Sequence, residues 1–123
     1  MSLIVALQIV IALGIYNVWL LRFNKSTGFR GGSAKNMTEE FLAYGLPLWF
    51  MRVVMVLKLT FATMLLGGLV MPELVQPAAI GMTILMLGAV AMHAKVGDEI
   101  KKTLPAAAML LMSILVATQS AIG

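Results

Sequence analysis

The sequence predicts an all-α integral membrane protein built as a four-helix bundle. Hydrophobic residues make up 61% of the 123-residue chain and charged residues only 11%, whereas roughly a quarter of an ordinary soluble domain is charged. Four apolar segments are each long enough to cross about 30 Å of hydrocarbon as a helix. The basic residues lie mostly in the links between them. We therefore expect residues 1–123 to form a single transmembrane domain.

The first predicted span covers residues 2–21, SLIVALQIVIALGIYNVWLL, and contains no charged residue. A secretory signal peptide is the alternative for an apolar run at this position. The run has no basic segment before it and is longer than a usual signal-peptide core. We therefore expect a retained transmembrane helix.

The only sizeable link between spans covers residues 22–45. Its glycine, serine and asparagine residues argue against one continuous helix. Within it, TEEFLAYG begins with Thr38 as a candidate N-cap, continues with acidic residues in the first turn and ends at Gly45. This pattern predicts a short interfacial helix between the first and second spans.

The other three spans follow in quick succession. They are predicted over residues 48–70, 74–94 and 103–123. Pro47 precedes the second span, at a position where a helix start tolerates proline. Thr103 is a candidate N-cap for the fourth span. The links between these spans are too short to hold a soluble domain.

The first and third links are basic, whereas the second, MPE, has no lysine or arginine. The basic residues of the two links are Arg22, Lys25, Arg30, Lys35, Lys95, Lys101 and Lys102. The positive-inside rule places both basic links in the cytoplasm, so both termini are predicted on the periplasmic or extracellular side. The net charge is +4, but the basic residues flank apolar segments. Their location indicates a role in membrane topology, and we expect no nucleic-acid partner.

Lys58 lies near the middle of the second span, where insertion of a lysine costs roughly 2.5–3.5 kcal/mol. Two interpretations remain open. The side chain can bend toward the inner headgroups, or its ammonium can face the bundle interior and meet an anionic or carbonyl-bearing ligand. Tyr44, Met51 and Leu65 share a helical stripe with Lys58, and we expect that stripe to face inward.

Further polar residues are predicted at one depth, just inside the inner leaflet: Tyr16, Asn17, Arg52 and His93. With Lys58 and Tyr44 they make up the candidate ligand-binding residues. Arg52 can equally serve only to position its helix. A single histidine and no cysteine argue against an intrinsic haem or zinc site. No catalytic pair is visible, so we expect no intrinsic cofactor and lean toward a non-enzymatic role.

Two blocks of the sequence resemble the DoxX-like family of small four-helix membrane proteins. They are YNVWLLRFNKSTGFRGGSAKNMTEEFLAYGLPLWF and MLGAVAMHAKVGDEIKKTLPA. The resemblance implies a four-helix bundle in a bacterial inner membrane. Members have been linked to quinol oxidase and thiosulfate–quinone oxidoreductase assemblies, to redox-stress complexes and, in animals, to receptor-assembly chaperones. Many members carry an acid in the middle of the second span where this chain has Lys58, so that acid's role does not carry over.

Three functions stay open at this point. The leading expectation is an accessory or structural subunit of a redox-linked membrane complex, with quinone as the natural small ligand. A small oligomeric transporter or channel is the second, although the first-span glutamate of small multidrug transporters is absent, which leaves only an anion path past Lys58. An assembly factor or chaperone is the third. The expected partners are the lipid bilayer and either other membrane-protein subunits or further copies of the chain.

Overall fold

A computed structural model describes residues 2–25 and 30–122 of the chain, with side chains described through residue 119. All of its regular elements are helical. They are α1 (Leu3–Tyr16), a π-helical turn (Asn17–Leu21), α2 (Met37–Ala43), α3 (Leu48–Gly67), a 3-10 turn (Pro72–Leu74), α4 (Val75–Lys95) and α5 (Ile100–Ile122). Residues 26–29 of the predicted loop and Gly123 of the predicted fourth span lie outside the described residues.

The predicted all-α fold and its spans are confirmed. Among the described residues, four segments are long and apolar enough to cross a membrane: Leu3–Leu21, Leu48–Gly67, Pro72–Lys95 and Ile100–Gln119. Large apolar side chains such as Val56 and Leu87 are exposed, as lipid contact requires. The chain is therefore a multi-pass membrane protein.

The four spanning helices form a closed antiparallel ring in which α1 packs on α3 and α5, and α4 packs on the same two. We call the end that holds the chain termini and the α3–α4 turn the termini end. The opposite end, which holds the long loop and the α4–α5 link, is the loop end. The Gly32 amide donates to Asp98 Oδ1 across this second end at 2.9 Å. Both basic links therefore lie at the same end of the bundle, as predicted.

The termini half of the bundle is closely packed. A Cβ at Gly68 would lie only 2.4 Å from Val75 Cγ2, so the α3–α4 turn depends on a glycine there. Gln8, a buried polar side chain beside it, donates from Nε2 to the Leu65 carbonyl at 2.8 Å. The fully buried residues of this half are Ile11, Ala12, Ala62, Leu65, Ala78, Ala79, Met82, Ser113 and Val116. Among the described residues, the buried Ser113 hydroxyl has no hydrogen-bond partner.

Two predicted helix caps are wrong. The N-cap of α2 is Asn36, whose Oδ1 accepts from the Glu39 amide at 2.8 Å, and Thr38 lies inside the first turn. The helix α5 begins at Ile100, so Thr103 is an interior residue. The helix α5 includes the charged residues that precede its apolar stretch, because helical hydrogen bonding does not depend on hydrophobicity. The prediction places the start of the helix at the start of the apolar stretch, which is three residues too late.

The helices α2 and α4 both end at a glycine in the left-handed region, Gly45 with φ 78° and Gly97 with φ 70°. Glycine adopts this conformation without steric cost. After Gly97, the Asp98 amide donates back to the His93 carbonyl at 3.0 Å, which is the hydrogen bond of a Schellman motif. This motif folds Asp98 onto the last turn of α4, beside His93.

Candidate functional site

A cavity of about 870 Å³ occupies the loop half of the bundle. The loop-end segments of α1, α3, α4 and α5 form its walls, and α2 with the preceding loop covers it. Its lining is mostly apolar and includes Trp19, Phe41 and Met109. Cavities of this size hold drug-sized ligands and cofactors.

Lys58 faces this cavity. Its side chain is only 8% exposed, and its Nζ lies 5.3 Å from the centroid of the Trp19 ring. Trp19 itself is held by Phe41, with ring centroids 5.9 Å apart in an edge-on arrangement. Within the described residues, the Lys58 ammonium makes no hydrogen bond and no salt bridge. Its charge lies over the Trp19 ring in a cation–π contact, and Glu40 acts on it only from beyond salt-bridge distance. Of the two interpretations of Lys58, the structure supports the inward-facing one.

The predicted inward stripe is confirmed. Tyr44, Met51, Lys58 and Leu65 are 5%, 6%, 8% and 0% exposed, respectively. Arg52, which the spacing places off this stripe, is exposed on the outside of α3. Side-chain periodicity along one helix therefore predicted which face of α3 is buried.

A network of polar side chains closes the cavity at the loop end. Arg30 pairs with Glu40 (Nη1 to Oε2, 3.0 Å), and the Tyr44 hydroxyl donates to the other Glu40 oxygen at 2.8 Å. The same hydroxyl lies 3.4 Å from His93 Nε2, and His93 Nδ1 lies 2.8 Å from Asp98 Oδ2. We call these five residues the loop-end network.

Further hydrogen bonds tie the long loop to the α4–α5 region. Asp98 accepts from the Gly32 amide through its second oxygen, and Lys102 Nζ donates to the Gly32 carbonyl. Lys95 Nζ donates to the Tyr44 carbonyl at 2.9 Å. The loop is thus fixed over the cavity by bonds to residues far away in sequence.

Two members of the network, Tyr44 and Asp98, have pKa values shifted by their surroundings. Burial, and then the charge and hydrogen bond of Glu40, raise the pKa of the Tyr44 phenol well above its usual range, so the phenol stays a donor. Burial alone would raise the pKa of the Asp98 carboxyl, but hydrogen bonds from the Gly32 amide and from His93 outweigh it and lower that pKa. Asp98 is therefore a carboxylate that holds the imidazole in place.

The structure does not bring together the four residues predicted to form a polar cluster, Tyr16, Asn17, Arg52 and His93. The Tyr16 hydroxyl bonds to Thr63 Oγ1 at 2.7 Å, and Asn17 Oδ1 accepts from Arg22 Nε at 3.2 Å. The prediction used depth along each span but not direction around each helix axis. Of the six candidate residues, Lys58, His93, Tyr44 and Asn17 line the cavity.

Sequence reasoning missed Trp19, Arg30, Glu40 and Asp98. A local pattern identifies Asp98, because a helix that ends at Gly97 in a Schellman motif brings the next residue back toward His93. The pairing of Arg30 with Glu40 has no such local pattern, since it depends on the path of the loop between them. The position of Trp19 depends on the π-helical turn, which the hydropathy pattern does not indicate.

The groups that face the cavity can bind but are not arranged as a catalytic set. Lys58 offers three hydrogen-bond donors, and Trp19 offers a ring face. Tyr44 and His93 are already engaged within the network. Within residues 2–25 and 30–122, no group of three or more His, Asp or Glu side chains is placed to hold a metal ion.

Comparison with known proteins gave one result. A model of the DoxX-like family matches residues 15–116. That range contains Lys58, the rest of the cavity lining and the loop-end network. No match was found among curated proteins or among solved structures.

Proposed function

The chain belongs to the DoxX-like family, and from that premise we propose that it is an accessory subunit of a redox-linked membrane complex that holds a quinone-type ligand in the cavity. One observation carries the proposal. The Lys58 ammonium enters a mostly apolar cavity without a carboxylate partner among the described residues. A quinone is a flat apolar ring whose carbonyl oxygens accept hydrogen bonds, so an ammonium beside an aromatic wall suits it.

Trp19 and Lys58 would contact different parts of the quinone. The indole supplies an apolar aromatic wall, and the ammonium, 5.3 Å from the centroid of that ring, supplies the donor. The loop-end network separates this pair from the bulk water at the loop end. The arrangement supports a binding role, and electron transfer would then belong to partner subunits.

We further propose that the loop end faces the cytoplasm of a bacterial inner membrane and that both termini lie on the opposite side. The support is the distribution of charge. The basic residues of both links gather at the loop end, where the positive-inside rule expects the cytoplasm. Fusions of a periplasm-active and of a cytoplasm-active reporter to the C-terminus test this orientation. Activity of the cytoplasm-active fusion alone would contradict it.

Binding can be measured with the protein's own fluorescence. The chain has two tryptophans, so a Trp49→Phe variant leaves Trp19 as the single reporter beside the cavity. Titration with a ubiquinone or menaquinone analogue in non-ionic detergent is expected to quench Trp19 saturably. Lys58→Met should then weaken binding by about tenfold or more, the value of one hydrogen bond to a charged group.

Arg52→Met is the matched control for this experiment. It removes a cation from the same helix, but Arg52 is exposed and does not line the cavity. Its affinity should equal that of the parent protein. Equal affinity for the parent and Lys58→Met would remove the quinone cavity from the proposal.

The two other functions predict different results. A transporter would carry anions past Lys58, so proteoliposomes would show flux that Lys58→Met abolishes. An assembly factor would leave the mature complex, whereas a subunit would remain at constant stoichiometry in a mild-detergent pull-down. Constant stoichiometry without flux is the result that the subunit proposal expects.

A further inference from the structure

The charges around the cavity are unequal in number. Four cations line it, and they are Arg22, Arg30, Lys58 and Lys102. Glu40 is the one carboxylate in the lining. Asp98 adds a second carboxylate behind His93. With a neutral imidazole, the cavity and its immediate support therefore carry more positive than negative charge.

The pairing of these charges separates Lys58 from the others. Arg30 uses Glu40, and the Tyr44 hydroxyl occupies the second oxygen of the same carboxylate. Lys102 is half-buried, and its Nζ donates to the Gly32 carbonyl. Each of these two cations is therefore already bonded to a group of the protein.

Arg22 is exposed to solvent, which screens its charge. Lys58 is the cation that is both buried and without a carboxylate at salt-bridge distance among the residues described. An ammonium in apolar surroundings is costly unless it is paired. A neutral carbonyl would satisfy one of its hydrogen bonds, whereas an anionic oxygen would also compensate its charge.

We propose that the cavity selects an anionic amphiphile, with a negatively charged oxygen at the Lys58 ammonium and an apolar body beside Trp19. The proposal rests on the proposed function, because a quinone can belong to this class. A ring-hydroxylated quinone that has lost its hydroxyl proton is one member. A long-chain carboxylate is another member with the same chemistry. Both place one negative oxygen at the end of an apolar group that the cavity can enclose.

Two matched pairs of probes test the charge preference. The first pair is 2-hydroxy-1,4-naphthoquinone, used as its anion, and the neutral 2-methyl-1,4-naphthoquinone. The second is dodecanoate and dodecanol. Direct binding is measured by Trp19 quenching in the Trp49→Phe protein for the quinones and by calorimetry for the alkyl probes, in non-ionic detergent at neutral pH.

Each anion that binds is expected to bind about tenfold or more tightly than its neutral partner, as a charge-assisted hydrogen bond implies. Lys58→Met should abolish the difference within each pair, and Lys58→Arg should retain it because the charge is kept. Arg52→Met should behave as the parent protein. Equal affinity for the anion and its neutral partner would overturn the inference.

A second variant tests the cavity without touching any charge. Gly88 lines the cavity, and a Cβ there meets no atom within 4 Å. A leucine at this position should fill part of the space and weaken every probe that binds in the cavity. Unchanged affinities in Gly88→Leu would place the binding site elsewhere and overturn the inference even if Lys58→Met fails to fold.

The probes also separate this inference from the proposed function. If dodecanoate binds through Lys58 and neither naphthoquinone binds, the charge preference stands and the quinone function fails. If both naphthoquinones bind equally and both lose affinity in Lys58→Met, the quinone function stands and the charge preference fails. Absence of binding by all four probes would overturn both.

Discussion

The termini half and the loop half of the bundle surround their long buried polar side chains in different ways. In the termini half, Gln8 is buried and its amide has a carbonyl acceptor at 2.8 Å. In the loop half, Lys58 is also buried but meets a cavity of about 870 Å³ and a ring face. The comparison indicates that close packing stabilises one half, whereas the other half leaves space beside a buried charge.

The cover of the cavity is a third kind of environment. The loop-end network is polar, but its charges and hydrogen-bonding groups are paired within the network. Arg30 pairs with Glu40, Tyr44 bonds to Glu40, and His93 pairs with Asp98. Networks of this kind hold their geometry only while every member is present. The loop half therefore combines a well-fixed cover with a large cavity.

The largest effect is expected from breaking that cover. Arg30→Met leaves the Glu40 carboxylate, 12% exposed, without its counter-ion, and breaking a buried ion pair costs about 3–5 kcal/mol. Hydrogen exchange should accelerate over residues 30–44 and stay unchanged over residues 62–78 at the termini end. Adding Glu40→Leu should restore part of the protection, because the unpaired charge is then gone. Uniform acceleration at both ends would contradict the division between them.

Two glycines give the next largest contrast. Alanine at Gly68 would clash with Val75, a stiff β-branched side chain, and overpacking of this kind costs about 1–3 kcal/mol. Alanine at Gly88 meets open space and should gain about 0.5–1 kcal/mol from better helix propensity. Thermal unfolding in detergent should thus shift in opposite directions. Equal shifts would show that the loop half is as closely packed as the termini half.

Lys58 and Gln8, one buried polar residue from each half, should also respond with opposite signs. Lys58→Met removes an insertion cost of roughly 2.5–3.5 kcal/mol and loses a cation–π contact of about 2 kcal/mol, so stability without ligand should rise by about 1 kcal/mol. Gln8→Leu loses an interhelical hydrogen bond, so its stability should fall by about 0.6 kcal/mol. Reversible unfolding measurements on ligand-free protein provide the test. Destabilisation by Lys58→Met would mean that the ammonium has a partner in the folded protein.

The smallest effect is that of pH on stability. Near neutral pH, neither Tyr44 nor Asp98 is expected to change the free energy of unfolding. The raised pKa of Tyr44 means that the folded state binds the phenolic proton more tightly, so its stability is full below about pH 10 and decreases above it. The lowered pKa of Asp98 acts in reverse, and its contribution is lost as the pH falls below about 4. In a Tyr16→Phe variant, Tyr44 is the single tyrosine, and its phenolate absorbance should appear only as the loop end opens. Phenolate formation with loop protection intact would exclude the tight Tyr44–Glu40 bond.

Several features followed from the sequence alone because they depend on local composition. Hydrophobic length gave the spans, and the charge pattern placed both basic links at one end. The spacing of seven between Met51, Lys58 and Leu65 identified the buried face of α3. Tyr44 is buried as well, but it lies between α2 and α3, so the spacing along α3 does not explain its position. These properties are set by helix geometry and by lipid solvation, which neighbouring helices do not alter.

The tertiary structure decided what Lys58 meets on that face. The bonds that form the cover join residues far apart in the chain, as from Gly32 to Asp98 or from Lys95 to Tyr44, and no helical periodicity encodes them. The direction of Tyr16 and Arg52 around their helix axes likewise depended on how the helices pack. Hydropathy fixes that a segment enters the bilayer, but the environment of a charge inside it depends on every element that surrounds it.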